Sequence, residues 1–257
     1  MRLGRFASVT FALALICLFQ SAGSLAESDK LKPEEIIQRF AARESEFREV
    51  WEQYTYTQRI VFQVIGRSDQ AEEQREMIVE VYYTEDGERE TRVISDRGGL
   101  SSVGVSKEDI SDAISMQPFV LTSEELSKYK IKYKGEEQID ELDTYAFDVQ
   151  PAKMKKRERY FKGRIWVDNV DFQIVMTRGK IVPDYRDNKF PEFETVREQI
   201  DSKYWFPTWT EADDVLHFGG YNSVHVRQLI TYGNFKKFEV GTAIKYGSVD
   251  EGESEPQ

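Results

Sequence analysis

Cysteine is almost absent. The 257-residue chain has one, Cys17, and it lies in the opening segment. Beyond that segment there is no thiol, which excludes disulfides, thiolate metal sites and cysteine nucleophiles. Histidine is nearly as scarce, with only His217 and His225. Positive charge is also short: 35 Lys and Arg against 46 Asp and Glu give a formal net charge of −11. That balance argues against nucleic acid and anionic membrane surfaces, both of which recruit cations. The chain has no G-x-S-x-G, P-loop or G-x-G-x-x-G motif, so nothing points to nucleotide or serine-hydrolase chemistry. Outside the first segment no apolar run is long enough to span a bilayer.

The first segment, "MRLGRFASVTFALALICLFQSAGSLA", has Arg2 and Arg5, then an apolar core from Phe6 to Phe19, then small residues at Ser24 and Ala26. This is the pattern of a secretory signal peptide, with cleavage expected between Ala26 and Glu27. A lipoprotein signal needs a small residue before the cysteine, and Ile16 stands there instead. Cleavage removes the only cysteine and takes the formal charge from −11 to −13. A secreted chain without disulfides must be held by its core, which suits a bacterial periplasm and one large domain. The expected organisation is residues 1–26 as signal, 27–240 as the domain, and 241–257, "GTAIKYGSVDEGESEPQ", as an acidic, disordered tail.

Within the domain, residues 33–53 read as a helix with Ile36, Phe40, Phe47, Val50 and Trp51 along one stripe. From Tyr54 the period changes to two. "REMIVEVYYTEDGERETRVI" is a hairpin about Asp86-Gly87. "GRSDQAEEQRE" and "DRGGLSSVGVS" read as loops. Two short helices are expected between residues 106 and 128, the first opened by a Ser106/Asp109 capping box and the second by Thr122 or Ser123. Strands then resume to Val240. In "RYFKGRIWVDNVDFQIVMTRGKIV", Ile165 and Val167 point to one face and Trp166 to the other. The expected fold is mainly β: an antiparallel meander of about ten or eleven strands curled into an unclosed barrel, with the N-terminal and middle helices covering the concave side. Pro207, in mid-strand, favours an edge or a bulge and an incompletely closed sheet.

The order of signal peptide, amphipathic helix, long meander with inserted helices and "GRIWVDNVDFQIVMTRG" hairpin resembles the LolA/LolB-like superfamily of periplasmic lipoprotein carriers. "SKYWFPTWTEAD" is similar to the strand that follows in members of the outer-membrane lipoprotein-sorting type. The resemblance covers residues 34–240. It implies an unclosed barrel around an apolar cavity for acyl chains, no enzymatic activity, no cofactor, and a lipid or acylated protein as partner, with an envelope protein as a further one. The carriers tie their lid with a cavity arginine; no motif assigns one here, and Arg59 and Arg92 are candidates by strand position only. The receptor branch is lipidated, which Cys17 does not support.

Strand alternation nominates the lining of such a cavity: Ile60, Phe62, Val79, Val81, Tyr129, Ile131, Tyr145, Phe147, Ile165 and Val167, with Ile174 and Met176. The basic run Lys153, Lys155, Lys156, Arg157 and Arg159, continuing to Lys162 and Arg164, is a solvated loop or a docking patch for a headgroup or acidic partner. His217 and His225, near Asp213 and Asp214, could share a metal only if the Gly219-Gly220 turn put them on one face. Their spacing is far from a metal signature, and two surface histidines are the simpler reading. Two other classes compete with a lipid binder: an envelope hydrolase using a carboxylate pair, and a structural module that joins partners through its sheet edge.

Overall fold

The computed structural model describes residues 31–84, 86–184, 190–218 and 222–238. The chain divides into two units, Met1–Lys32 and Pro33–Gln257. The expected signal peptide with its Ala26–Glu27 cleavage site, the Gly219-Gly220 turn and the tail from residue 241 lie outside the described residues.

In the second unit, α1 (Pro33–Trp51) precedes β1 (Tyr54–Ile65), β2 (Ala71–Tyr83) and β3 (Arg89–Gly99). Next come α2 (Lys107–Ser115) and a 3-10 turn, Leu126–Lys128. The remaining strands are β4 (Tyr129–Ile139), β5 (Leu142–Pro151), β6 (Tyr160–Asp168), β7 (Ile174–Val182), β8 (Phe193–Gln199), β9 (Trp205–His217) and β10 (Ser223–Lys237). Ten antiparallel strands among the described residues form one unclosed sheet, in the order β3-β2-β1-β10-β9-β8-β7-β6-β5-β4.

The expected meander is corrected at one place. Sequence neighbours β3 and β4 do not pair; they are the two edges, and the first strand pairs with the last through β1–β10. The segment 100–128 explains this. It is too long for a hairpin and carries α2, so it departs from the sheet and returns to its far edge.

Local signals set most boundaries. The Ser106 side chain accepts from the Asp109 N–H at 3.1 Å while the Ser106 N–H donates to Asp109 Oδ2 at 2.7 Å, so α2 starts at its capping box. The second middle helix is not formed: that stretch reaches only a 3-10 turn, capped by no side chain. Two expected loops are shorter than their composition suggests. "AEEQRE" belongs to β2 and "DRGG" to β3; the polar loop contracts to a turn closed by the Gly66 N–H on the Gln70 carbonyl at 2.9 Å. This hairpin runs to the edge of the sheet, where both faces meet water and apolar alternation is not required.

Bulges decide which side chains face inward. Between β6 and β7 the register slips: Trp166 opposes Met176, but Val167 opposes Ile174. Val175 is the extra residue, so Ile174 and Met176 face opposite ways. Met176, expected in the cavity lining, instead packs on the convex face with Trp166, Ala146 and Val175. The Trp166 indole N–H donates to Glu137 Oε2 at 2.7 Å. Pro207 also sits by a register shift, in β9 opposite Arg197.

Gly163 on β6 opposes Gly179 on β7. A Cβ on Gly163 would lie 2.1 Å from the Arg178 carbonyl oxygen and 2.8 Å from the Phe161 ring. The glycine pair therefore seats Phe161, which stacks on Phe119 at 4.4 Å. Gly163→Ala should cost about 2–4 kcal/mol in urea unfolding. Gly233→Ala, whose Cβ meets nothing within 4 Å, should be neutral or slightly stabilising in the same measurement.

Candidate functional site

The concave face is not uniformly apolar. Ile60, Phe62, Met77, Val79, Val81, Ile230 and Tyr232 pack with Phe47 and Trp51 of α1 and Ala113 of α2. Across the middle of the same face runs a polar band of Gln58, Thr195, Arg197, Thr210 and Gln228, all buried. Its purpose is visible in the strip 117–122, which crosses the face without regular structure and so carries backbone groups that need partners. Gln58 Nε2 donates to the Ile114 carbonyl at 3.3 Å, and Thr195 Oγ1 donates to the Gln117 carbonyl at 3.1 Å. The Gln117 and Gln228 side-chain amides exchange two hydrogen bonds, 3.1 and 3.0 Å.

At the centre lies a buried ion pair. Arg197 Nη1 donates to Glu44 Oε1 at 3.0 Å and Nη2 to Oε2 at 3.2 Å, with both side chains at or below 1% exposure. Nη2 also donates to the Phe119 carbonyl, the guanidinium lies 4.9 Å over the Phe47 ring, and the Ile174 N–H donates to Glu44 Oε1 at 3.2 Å. One charge pair thus joins α1, β7, β8 and the strip.

Both residues escaped the sequence reading, and both left a signal. Glu44 is four residues after Phe40 and three before Phe47, inside the apolar stripe of α1. Arg197 keeps the alternation of buried Phe193 and Thr195. Arg59 and Arg92, considered by strand position, pair at the surface with Glu76 and Glu80, 2.6 and 2.7 Å away.

To one side of the strip the face holds a pocket of about 650 Å³. Its wall is made by Phe62, Ile181, Phe193, Leu216 and Val226 of the sheet, Leu100, Val103 and Val105 of the loop before α2, and Phe190, Pro191 and Phe218. Asp112 of α2 also lines it and is only 7% exposed. Its Oδ2 has no hydrogen bond; Arg159 Nη2 stands 3.5 Å away as an ion-pair partner. Burial is the largest influence and pushes this carboxyl up from 3.8 to about 6; Arg159 opposes the rise, while Asp109 and Glu108 add to it.

A second pocket, about 580 Å³, lies on the other side and has a charged rim of Arg48, Glu52, Arg89, Glu125, Lys128, Glu158 and Arg159.

The nominated lining residues are spread over these features. Phe62 lines the first pocket. Val81 and Tyr129 line the second. Ile131 borders a recess of about 820 Å³ beside Lys130, Lys132 and Arg164. Ile60 and Val79 belong to the core beneath the helices. Phe147 meets Phe40 of α1 at 5.4 Å, and Tyr145 stacks near Phe172 at 6.2 Å. Ile165, Val167 and Ile174 are fully buried.

Of the basic run, Lys153, Lys155, Lys156 and Arg157 are exposed between β5 and β6; Arg159 is half-buried over the Phe190 ring at 4.2 Å. His217 and His225 share a face, but each has its own partner: His217 Nδ1 meets Ser223 Oγ at 2.8 Å, and His225 pairs with Asp213. No cluster of three metal-ligating side chains occurs among the described residues, nor any helix long and apolar enough to cross a membrane.

No family model matches the chain, and no curated protein does. Solved structures similar to it include a LolA superfamily protein from Nitrosomonas europaea, at 13% identity and TM-score 0.38, covering 77% of this chain and 94% of that one. A second is described as an outer membrane lipoprotein-sorting protein domain from Vibrio parahaemolyticus, at 10% identity and TM-score 0.39, covering 82% and 95%. A third is a DUF1329 family protein from Desulfovibrio piger, at 15% identity and TM-score 0.36, covering 79% and 91%.

Two predictions follow from the buried charges. Glu44→Gln and Arg197→Met should each cost about 3–5 kcal/mol in denaturant unfolding, because each strands a buried partner. The double variant should cost less than the sum, by about 2 kcal/mol or more. Asp112 holds its proton more tightly folded than unfolded. Its contribution to stability is therefore complete below about pH 3.8 and is lost as pH rises through about 6. Asp112→Asn should stabilise the protein by about 1–2 kcal/mol at pH 7.5, discounted for the contact the carboxyl keeps with solvent, and the gain should vanish near pH 4 in thermal melts.

Proposed function

We propose that this chain is a non-enzymatic periplasmic protein that binds an acylated ligand, as a lipoprotein carrier or sorting protein, and that the 650 Å³ pocket receives the acyl chain. The observation that carries the reading is the pocket wall. Its aliphatic and aromatic side chains come from β1, β7, β8, β9 and β10 on one side and the loop before α2 on the other. Its volume lies within the roughly 300–1,000 Å³ typical of small-ligand sites. A saturated chain entering it gains about 0.8 kcal/mol per methylene removed from water, so eight methylenes supply about 6 kcal/mol before the costs of association.

The architecture supports this use. Polar groups that would spoil an apolar pocket are gathered under the strip and the end of α2: Thr195 and Arg197 bind the Gln117 and Phe119 carbonyls, Gln228 the Gln117 side chain, and Gln58 the Ile114 carbonyl. The sheet stays open between β3 and β4, so the concave side is not sealed by strand pairing. Phe62 is where the alternation of the sequence and the wall of the pocket coincide. On this reading the exposed Lys153, Lys155, Lys156 and Arg157 offer positive charge to a headgroup or acidic partner on an otherwise acidic chain. The printed names of the Nitrosomonas and Vibrio structures belong to the same class of protein.

Protein isolated from a bacterial periplasm should carry lipid visible by native mass spectrometry. It should also bind a polarity-sensitive naphthylamine dye. Val226→Trp, which fills the pocket, should weaken dye binding about tenfold or more, close to 1.4 kcal/mol. Val170→Trp, on an 81% exposed turn position, should leave it unchanged. A wild-type protein that holds neither lipid nor dye would overturn the proposal.

A further inference from the structure

The pocket wall contains polar side chains as well as apolar ones, and all but one spend their hydrogen bonds inside the protein. Gln117 and Gln228 bind each other. Gln63 donates to Gln74 at 2.8 Å. Arg227 is held by Asp213 and Asp69. Ser106 and Asp109 close the capping box of α2. Asp112 is the exception: more than nine-tenths buried, lining the pocket, with a carboxylate oxygen that accepts no hydrogen bond. Arg159 lies at ion-pair distance but leaves that acceptor position open. An unfilled buried acceptor is costly unless a donor reaches it.

We infer that Asp112 selects the head of the ligand: the pocket takes an aliphatic chain ending in a hydrogen-bond donor, such as an amide N–H, and disfavours one ending in a carboxylate. The inference rests on the proposed acyl-chain site and deepens it. A donor head meets the Asp112 carboxyl in the pocket wall, where Arg159 stands off at 3.5 Å. An anionic head meets two carboxylates in the same wall, Asp112 and Asp109, and brings no proton to share. The groups that bear on Asp112 are Arg159 before β6 and Asp109 and Glu108 of α2. A site that rejects a head for want of a donor discriminates more sharply than one that measures chain length, because the unpaired partner remains buried.

Decanamide and decanoate are near-isosteric and test this directly. Both are titrated by calorimetry into the full mature chain at pH 7.5, below their aggregation limits. Wild-type protein should bind decanamide at least about tenfold more tightly. Burying any carboxylate is unfavourable, so the decisive arm is Asp112→Asn, which keeps the shape, removes the charge and supplies a donor. The preference should fall to about onefold or reverse. Equal affinity of the wild type for both probes, or the same ratio in wild type and Asp112→Asn, would overturn the head-group inference while leaving the acyl-chain site standing. Failure of both probes to bind wild-type protein would remove the acyl-chain site and this inference together. A thermal melt of Asp112→Asn at pH 7.5 checks that the variant is folded.

Discussion

The architecture turns on a charge pair that water never reaches. Glu44 and Arg197 come from a helix and a strand far apart in sequence, and their shared hydrogen bonds reach β7 and the strip as well. Removing both ions from solvent is expensive, and an apolar replacement of the same shape often does as well or better for stability alone. What the pair supplies here is registration. A guanidinium has fixed donor directions, and only one placement of α1 and the strip satisfies them. Apolar packing by Phe40 and Phe47 holds the helix on the sheet, and the ion pair ties it to β8 through fixed donor directions.

The polar band on the concave face follows from the same demand. A strip without regular structure cannot satisfy its own backbone, so the strands beneath it must present amides, hydroxyls and a guanidinium. Those groups line up across neighbouring strands: Thr195 lies beside Thr210 and Gln58 beside Tyr232, and the Thr210 and Tyr232 hydroxyls meet at 3.2 Å. Apolar surface is left over to one side, where Phe62, Leu216 and Val226 face the loop before α2 and the first turns of that helix. The pocket is thus what remains of the inner face after the strip has been seated.

Much of this was readable from local pattern. The stripe of α1, the capping box at Ser106 and the Asp86-Gly87 hairpin are short-range signals, and each sits where its chemistry requires. The curled antiparallel sheet was legible from strand alternation; Pro207 marked the bulge it sits by in β9, while the opening lies between β3 and β4. Two kinds of information were not local. The bulge at Val175 inverts the parity of β7, so Met176 cannot be assigned by counting from Ile174. The partnership of Glu44 with Arg197 spans the fold. Each breaks its own pattern as a charged residue at a core position, but nothing in either stretch names the other. The pocket itself was harder still, since alternation marks inward residues without saying which meet a helix, the strip or open space. Phe62 and Ile60 look alike in sequence and part company only when α1 and α2 are in place.

The pairing of β1 with β10 bears on how the protein comes into being. Tyr54 lies beside Lys237, and the Phe238 N–H reaches the Gln53 carbonyl at 2.7 Å. The three strands made first, β3, β2 and β1, have no other route into the sheet. Until the last strand is delivered they form an isolated ribbon with one side of its ladder bare. A chain of this topology therefore completes its sheet only once nearly all of it is available. Such long-range closure slows folding and leaves unpaired edges exposed meanwhile.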